Sequence, residues 1–191
     1  MKFRELLFKN RNYTPIAFYI IGIILAQPRQ DLFVFGMILV GFGELMRLWG
    51  LSYTGLDETS LVVSETELVT NGAYAHIRNP IFTGNIFMSI GMIIALGGGL
   101  PHLLFIGLFF FPIMYQLISS YEEEMLSQKY GKSYDEYRMA VPRFYPRISA
   151  YPEHTNIKPD FSSAFNSEKY MFLAIIIMLT LFAVRWNFLM N

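Results

Sequence analysis

Long apolar stretches separated by short polar segments dominate the chain. About 20 apolar residues cross the hydrocarbon layer as a helix, and five stretches approach or reach that length. We predict spans at about 13–27, 32–51, 80–97, 102–120 and 170–189, the first being the shortest. The pattern therefore predicts an all-α integral membrane protein, and no linker or low-complexity tract divides residues 1–191 into more than one domain.

The connections between the spans carry their own signals. Residues 97–102, GGGLPH, predict a tight helical hairpin because glycine permits positive φ and proline favours a turn. Spans three and four are then antiparallel neighbours. Residues 59–72 contain β-branched residues in partial alternation, which predicts an extended segment or a short hairpin ending in the Asn71-Gly72 turn.

The fourth span continues as a helix beyond the apolar stretch. Residues 121–128 keep helical spacing, and Gly131 is suited to end that helix. Ser133 is the expected cap of a second, short helix. Pro142 and Pro146 exclude regular helix after it.

Composition narrows the class of protein. The chain is 53% hydrophobic and 16% charged with a mean hydropathy of +0.36, which is too apolar for a typical soluble domain. A net charge of zero argues against a nucleic-acid partner. The chain contains no cysteine, and His76, His102 and His154 lack metal-ligand spacing, so no metal site is predicted.

Basic residues predict the orientation, because Lys and Arg concentrate in cytoplasmic segments. The side opposite the cytoplasm would carry only Arg29, His102 and Arg185. With five spans, the N-terminus and both polar segments that hold candidate chemistry are then cytoplasmic. The residues that favour this side are Lys2, Arg4, Lys9, Arg11, Arg47, Arg78, Lys129, Lys132, Arg138, Arg143 and Arg147.

Arg78 stands where the third span begins, directly before Asn79-Pro80. Proline at the first helical position leaves backbone N–H groups facing the loop, and a guanidinium beside them makes an anion site. The carboxylate of a cofactor or substrate would suit this site. An arginine bound to lipid phosphate is the alternative interpretation.

Other ionisable residues occupy unusual places. Glu122, Glu123 and Glu124 lie at a membrane-proximal helix end, where they either bind a ribose diol or ammonium group or form a solvated surface paired with basic residues. Glu44 and Arg47 share a face of the second span, and ionisable groups at that depth mark a site or an internal pair. Glycines at 36, 43 and 50 favour helix packing over a cofactor cradle.

Three motifs follow one another along the chain. The first motif is Gly43 and Arg47 before Gly55. The second is Gly72, Tyr74, Arg78, Asn79, Pro80, Phe82 and Gly84. The third is Glu122, Glu123, Leu126, Gly131, Tyr134, Tyr137, Val141, Pro142, Arg143 and Pro146. In these motifs, from about residue 36 to 147, the chain resembles the integral-membrane methyltransferases that include isoprenylcysteine carboxyl methyltransferase and the phospholipid N-methyltransferases.

The resemblance implies an S-adenosylmethionine pocket on the cytoplasmic face, built from the loop before span three and the helix after span four. Arg78 and Glu122 are the expected catalytic residues. A lipophilic small-molecule or prenylated acceptor would enter from the membrane lipids. Expected cofactor contacts are Gly72, Tyr74, Asn79, Pro80, Gly84, Glu122 and Glu123, and expected substrate contacts are Arg47, Tyr137 and Arg143.

The identity of the methyl acceptor stays open at the level of sequence. The nominal reaction is carboxyl O-methylation of isoprenylcysteine. Residues 117–121, LISSY, lack the basic residues that the eukaryotic isoprenylcysteine enzymes carry before the glutamates, which weakens that assignment. N-methylation of a lipid amine is the alternative within the enzyme class, and a membrane scaffold or small transporter that retains the fold is the non-enzyme alternative.

Overall fold

The computed structural model describes residues 2–11, 13–27, 29–54, 68–152 and 155–190, and within these ranges every regular element is helical. Residues 59–67, most of the predicted extended segment at 59–72, and the motif residue Gly55 lie outside the described residues. The helices are α1 (Lys2–Lys9), α2 (Thr14–Ile24), α3 (Gln30–Thr54), α4 (Pro80–Leu96), α5 (His102–Tyr130), α6 (Lys132–Ala140), α7 (Phe161–Ser167) and α8 (Lys169–Met190), with a 3-10 turn at Gly72–Ala75.

Among the residues that the structure describes, three helices are long and apolar enough to cross a membrane. They are Gln30–Thr54, His102–Tyr130 and Lys169–Phe188. Pro15–Ile24 and Pro80–Leu96 are apolar but shorter. The prediction of an all-α membrane protein is confirmed for the described residues, whereas the count of five spans stays a prediction.

The chain divides into two compact units. Unit 1 comprises Met1–Gly43, Ile86–Ile118 and Tyr170–Asn191, and unit 2 comprises Glu44–Asn85 and Ser119–Lys169. The prediction of a single domain remains untested by this division.

Close helix packing organises unit 1. A Cβ placed on Gly36 of α3 would lie 2.4 Å from the backbone oxygen of Gly91 in α4, so the two backbones touch, as the packing interpretation of this glycine predicts. Gly107 near the start of α5 contacts Ile93 near the end of α4, which confirms the antiparallel hairpin. A buried cluster of Ala26, Val40, Met88, Met92, Leu96 and Phe182 forms the core.

The core of unit 2 is aromatic. It contains Leu68, Val69, Ala73, Tyr74, Ala75, Leu126, Tyr134, Tyr137, Val141 and Tyr151. As predicted, α5 continues to Tyr130, and Gly131 ends it with a φ of +56°. The prediction that Ser133 caps α6 is wrong. The amide of Asp135 donates to the carbonyl of Gly131 at 3.1 Å, which begins the helix earlier and leaves Ser133 inside its first turn.

Candidate active site in unit 2

The loop that carries Arg78 is fixed at its start by Gly72. This residue has a φ of +57°, and a Cβ there would lie 2.1 Å from the ring of Tyr53, so only glycine fits. The preceding Asn71 donates from its amide to the carbonyl of Ile157 at 2.6 Å. The 3-10 turn then leads the chain to Arg78 and Pro80, the first residue of α4.

A second segment, residues 142–151, runs beside this loop and is held to it by backbone hydrogen bonds. The amides of Arg78 and Asn79 donate to the carbonyls of Pro142 and Arg143, at 2.9 and 3.2 Å. The amide of Arg147 donates to the carbonyl of His76 at 2.9 Å. The amides of Arg78, Asn79 and Arg147 are therefore not available to a bound anion.

This pairing assembles an ionic group, the Glu123 cluster, in which the buried Glu123 lies between the partly buried Arg78 and Arg143. Arg143 binds the carboxylate of Glu123 through Nε at 2.9 Å and Nη2 at 2.6 Å. Arg78 Nη1 lies 2.9 Å from Glu123 Oε2. The side-chain amide of Asn79 donates to Glu123 Oε1 at 3.4 Å. Residues far apart in sequence thus meet, as the motifs predict.

The composition of the Glu123 cluster leaves it able to bind an anion. Two guanidiniums share one carboxylate, so the three groups carry a formal charge of +1. Among the described residues, the buried Nε of Arg78 and the buried hydroxyl of Tyr134 have no hydrogen-bond partner. Orphaned buried donors of this kind suit a ligand that supplies acceptors.

The interpretation of the glutamates as a solvated surface is wrong for Glu122 and Glu123. Their exposed fractions are 7% and 5%, because this part of α5 packs inside unit 2. Lys129 and Arg138 are the basic residues expected to pair with such a surface, and Arg138 pairs with Asp135 at 3.1 Å.

Three buried tyrosines of the unit 2 core, Tyr74, Tyr134 and Tyr137, pack beside the Glu123 cluster, and we call them the tyrosine wall. Tyr137 donates its hydroxyl to the backbone carbonyl of Tyr74 at 2.7 Å. Burial raises the pKa of all three tyrosines well above the usual value of tyrosine. The negative charge of Glu122 raises the pKa of Tyr74 and Tyr134 further. The negative charge of Glu123 does the same for Tyr134 and Tyr137. Tyr74 and Tyr137 are 2% and 0% exposed, so the structure places both in the core. Their predicted contacts with cofactor and substrate stay predictions.

A second buried ionic group, the Arg47 cluster, consists of Glu44, Arg47 and Glu168. Arg47 donates to the side chains of Glu168, at 2.5 Å, and Asn85. Its Nε lies 3.7 Å from Glu44, beyond hydrogen-bond distance. The sequence predicts the pairing of Glu44 with Arg47, whereas Asn85 and Glu168 were missed. A polar residue inside the apolar third span is the signal that could have found Asn85.

A polar cavity of about 310 Å³ opens beside Glu123, within the size range of small-molecule sites. It is lined by Ser120, Glu123, Glu124, Ser127, Gln128, Arg138 and Arg143.

Gly84, another predicted cofactor contact, is buried in α4. Among the described residues, no group of three acidic or histidine side chains is placed to hold a metal ion.

Known proteins resemble this chain over its central part. A protein-S-isoprenylcysteine O-methyltransferase of Schizosaccharomyces pombe is 32% identical over 110 residues, 56% of this chain and 46% of the relative. Protein-S-isoprenylcysteine O-methyltransferase B of Arabidopsis thaliana is 28% identical over 122 residues, 60% of this chain and 59% of the relative. The chain thus spans about half the length of these curated relatives.

One relative carries a different name. The nickel-cobalt-cadmium resistance protein NccN of Alcaligenes xylosoxydans xylosoxydans is 29% identical over 119 residues, 61% of this chain and 50% of the relative. No solved structure shows significant similarity. The family profile described as Phospholipid methyltransferase matches residues 32–133, more than half of the chain. This chain is therefore a membrane protein that belongs to the phospholipid methyltransferase family.

Proposed function

We propose that this protein is a methyltransferase that uses S-adenosylmethionine to methylate a lipophilic acceptor in the membrane. The Glu123 cluster carries the proposal, because it brings together two separate methyltransferase motifs within hydrogen-bond distance. Membership of the family and the names of the relatives support the same activity.

The residues present fit such a cofactor. Arg78 and Arg143 offer positive charge to its carboxylate, and the orphaned Nε of Arg78 supplies a donor. Glu122 is the proposed acceptor for its ribose or ammonium group. When bound, S-adenosylmethionine supplies an activated methyl group on a sulfonium. The protein then has to orient the reactants and exclude water, which the buried tyrosine wall favours.

Binding of S-adenosylmethionine to the purified protein in detergent tests this proposal directly. Arg78→Ala should weaken binding at least tenfold in isothermal titration calorimetry. Arg29→Ala is the matched control, since Arg29 is an exposed arginine paired with Asp31 in unit 1, and it should bind like the wild type. Equal affinity in all three proteins would remove the Glu123 cluster as the cofactor site.

Two acceptors are proposed for this site. The names of the relatives support carboxyl O-methylation of isoprenylcysteine. The absence of basic residues at 117–121 favours a lipid amine instead. Transfer of labelled methyl to a farnesylated cysteine analogue and to phosphatidylethanolamine should be compared, because label in an ester is lost in base whereas label on an amine is retained.

We further propose five spans with the N-terminus and the Glu123 cluster on the cytoplasmic face. The positions of the basic residues support this orientation. A protease site inserted between Pro152 and Asp160 should be protected from protease added outside intact cells and cleaved after the cells are opened. Cleavage in intact cells would overturn the orientation.

A further inference from the structure

Glu44 is a buried carboxylate that receives no hydrogen bond from the part of the chain that the structure describes. The residue is 8% exposed, and neither of its side-chain oxygens has a hydrogen-bond partner among the described residues. Its neighbour Arg47 lies 3.7 Å away and directs two hydrogen bonds to Glu168 and Asn85. A buried carboxylate without donors is unfavourable unless a bound group supplies them.

The location of Glu44 links this unused acceptor to the candidate active site. Glu44 and Arg47 lie on the buried face of α3, and Arg47 reaches Asn85 of α4. Asn85 follows Pro80 by five residues, a rise of about 7.5 Å along the helix. The start of α4 therefore joins the two clusters within unit 2, because Asn79 directly before it contacts Glu123 and Asn85 in its second turn contacts Arg47.

We propose that Glu44 determines acceptor specificity by accepting N–H hydrogen bonds from the ammonium group of the methyl acceptor. This inference rests on the proposed function and selects the amine from its two acceptors. An ammonium group supplies the donors that Glu44 lacks, whereas a carboxylate placed there would be repelled. Arg47 cannot readily reverse this preference, because Glu168 and Asn85 already engage its guanidinium.

Binding of short-chain lipids in detergent, measured without cofactor, tests the role of Glu44. Dihexanoyl phosphatidylethanolamine and dihexanoyl phosphatidylcholine have the same net charge, but only the first has N–H donors. The wild type should bind the ethanolamine lipid at least fivefold more tightly. Glu44→Gln should reduce this ratio to about one and bind farnesylcysteine at least as well as the wild type. Glu136→Gln, an exposed glutamate on α6, should retain the wild-type ratio.

Soluble phosphoethanolamine distinguishes a lipid from a free amine as the ligand. If phosphoethanolamine binds fivefold more weakly than the lipid, the site takes membrane amines. If it binds equally well, the site takes a soluble amine. Glu44 keeps its role as the acceptor in both cases. A wild type that binds both lipids equally, or a Glu44→Gln variant that keeps the preference, would overturn the proposal. Failure to bind S-adenosylmethionine would instead refute the proposed methyltransferase function, since the lipid measurements need no cofactor.

Discussion

The Glu123 cluster and the Arg47 cluster contain the same chemical groups in inverse proportion. In the first, two guanidiniums share one carboxylate, and both oxygens of Glu123 receive hydrogen bonds. In the second, two carboxylates flank one guanidinium, and Glu44 receives no hydrogen bond from the described residues. The comparison teaches that, among the described residues, the carboxylate that joins the two motifs is saturated with hydrogen bonds, whereas the carboxylate of Glu44 is not.

Removal of the shared carboxylate should have the largest effect on stability. Glu123→Ala leaves Arg78 and Arg143 adjacent and largely buried without their counter-charge, and we expect a loss of about 3–5 kcal/mol in the free energy of unfolding. Denaturant unfolding in detergent measures the loss. Glu136→Ala removes an exposed i,i+4 pair and should cost less than about 0.5 kcal/mol. Equal losses would show that Glu123 does not organise the cluster.

Replacing one guanidinium of the Glu123 cluster with an ammonium should have a smaller effect on the free energy of unfolding. Arg143→Lys keeps the charge but loses the two-point contact with Glu123, which should cost about 1–3 kcal/mol because an ammonium cannot reproduce the planar fork. The matched control is Arg138→Lys, since Arg138 makes an exposed pair with Asp135. The same unfolding midpoints measure both variants, and a loss no larger than in the control would contradict the importance of this contact.

The buried tyrosines beside the Glu123 cluster should make the stability of the protein fall at alkaline pH. The pKa of Tyr137 is raised by burial in the folded state, so its contribution to stability is complete below pH 10 and declines as the pH rises above the unfolded value. Tyr137→Phe should therefore reduce the loss of stability above pH 10 by up to about 1.4 kcal/mol per pH unit. Tyr145→Phe, at an exposed position, should leave the slope unchanged. Equal slopes in both variants would contradict the raised pKa.

Sequence patterns predicted the helices and the meeting of the two motifs for identifiable reasons. The length of the apolar stretches and the glycine-rich link between α4 and α5 are local signals that predict helices. Arg78, Glu123 and Arg143 belong to specific motifs, so their meeting at one site is predictable from the sequence. The contact of Arg47 with Glu168 spans 121 positions and follows from tertiary packing, which no local pattern encodes. Gly131, and not Ser133, is the N-cap of α6, because its positive φ changes the direction of the chain without a side-chain cap.

Neutralising Glu44 should have the smallest effect on stability and thereby sharpen the contrast between the clusters. Glu44→Gln removes a buried charge that no described residue hydrogen-bonds, so the free energy of unfolding should stay within about 1 kcal/mol of the wild type or rise. Glu168→Gln, in contrast, weakens a charged hydrogen bond to Arg47 and should lose about 1.5–3 kcal/mol. A variant that is stable yet loses its preference for an amine would mark Glu44 as a binding residue. A loss as large as that of Glu168→Gln would show that Glu44 serves the fold instead.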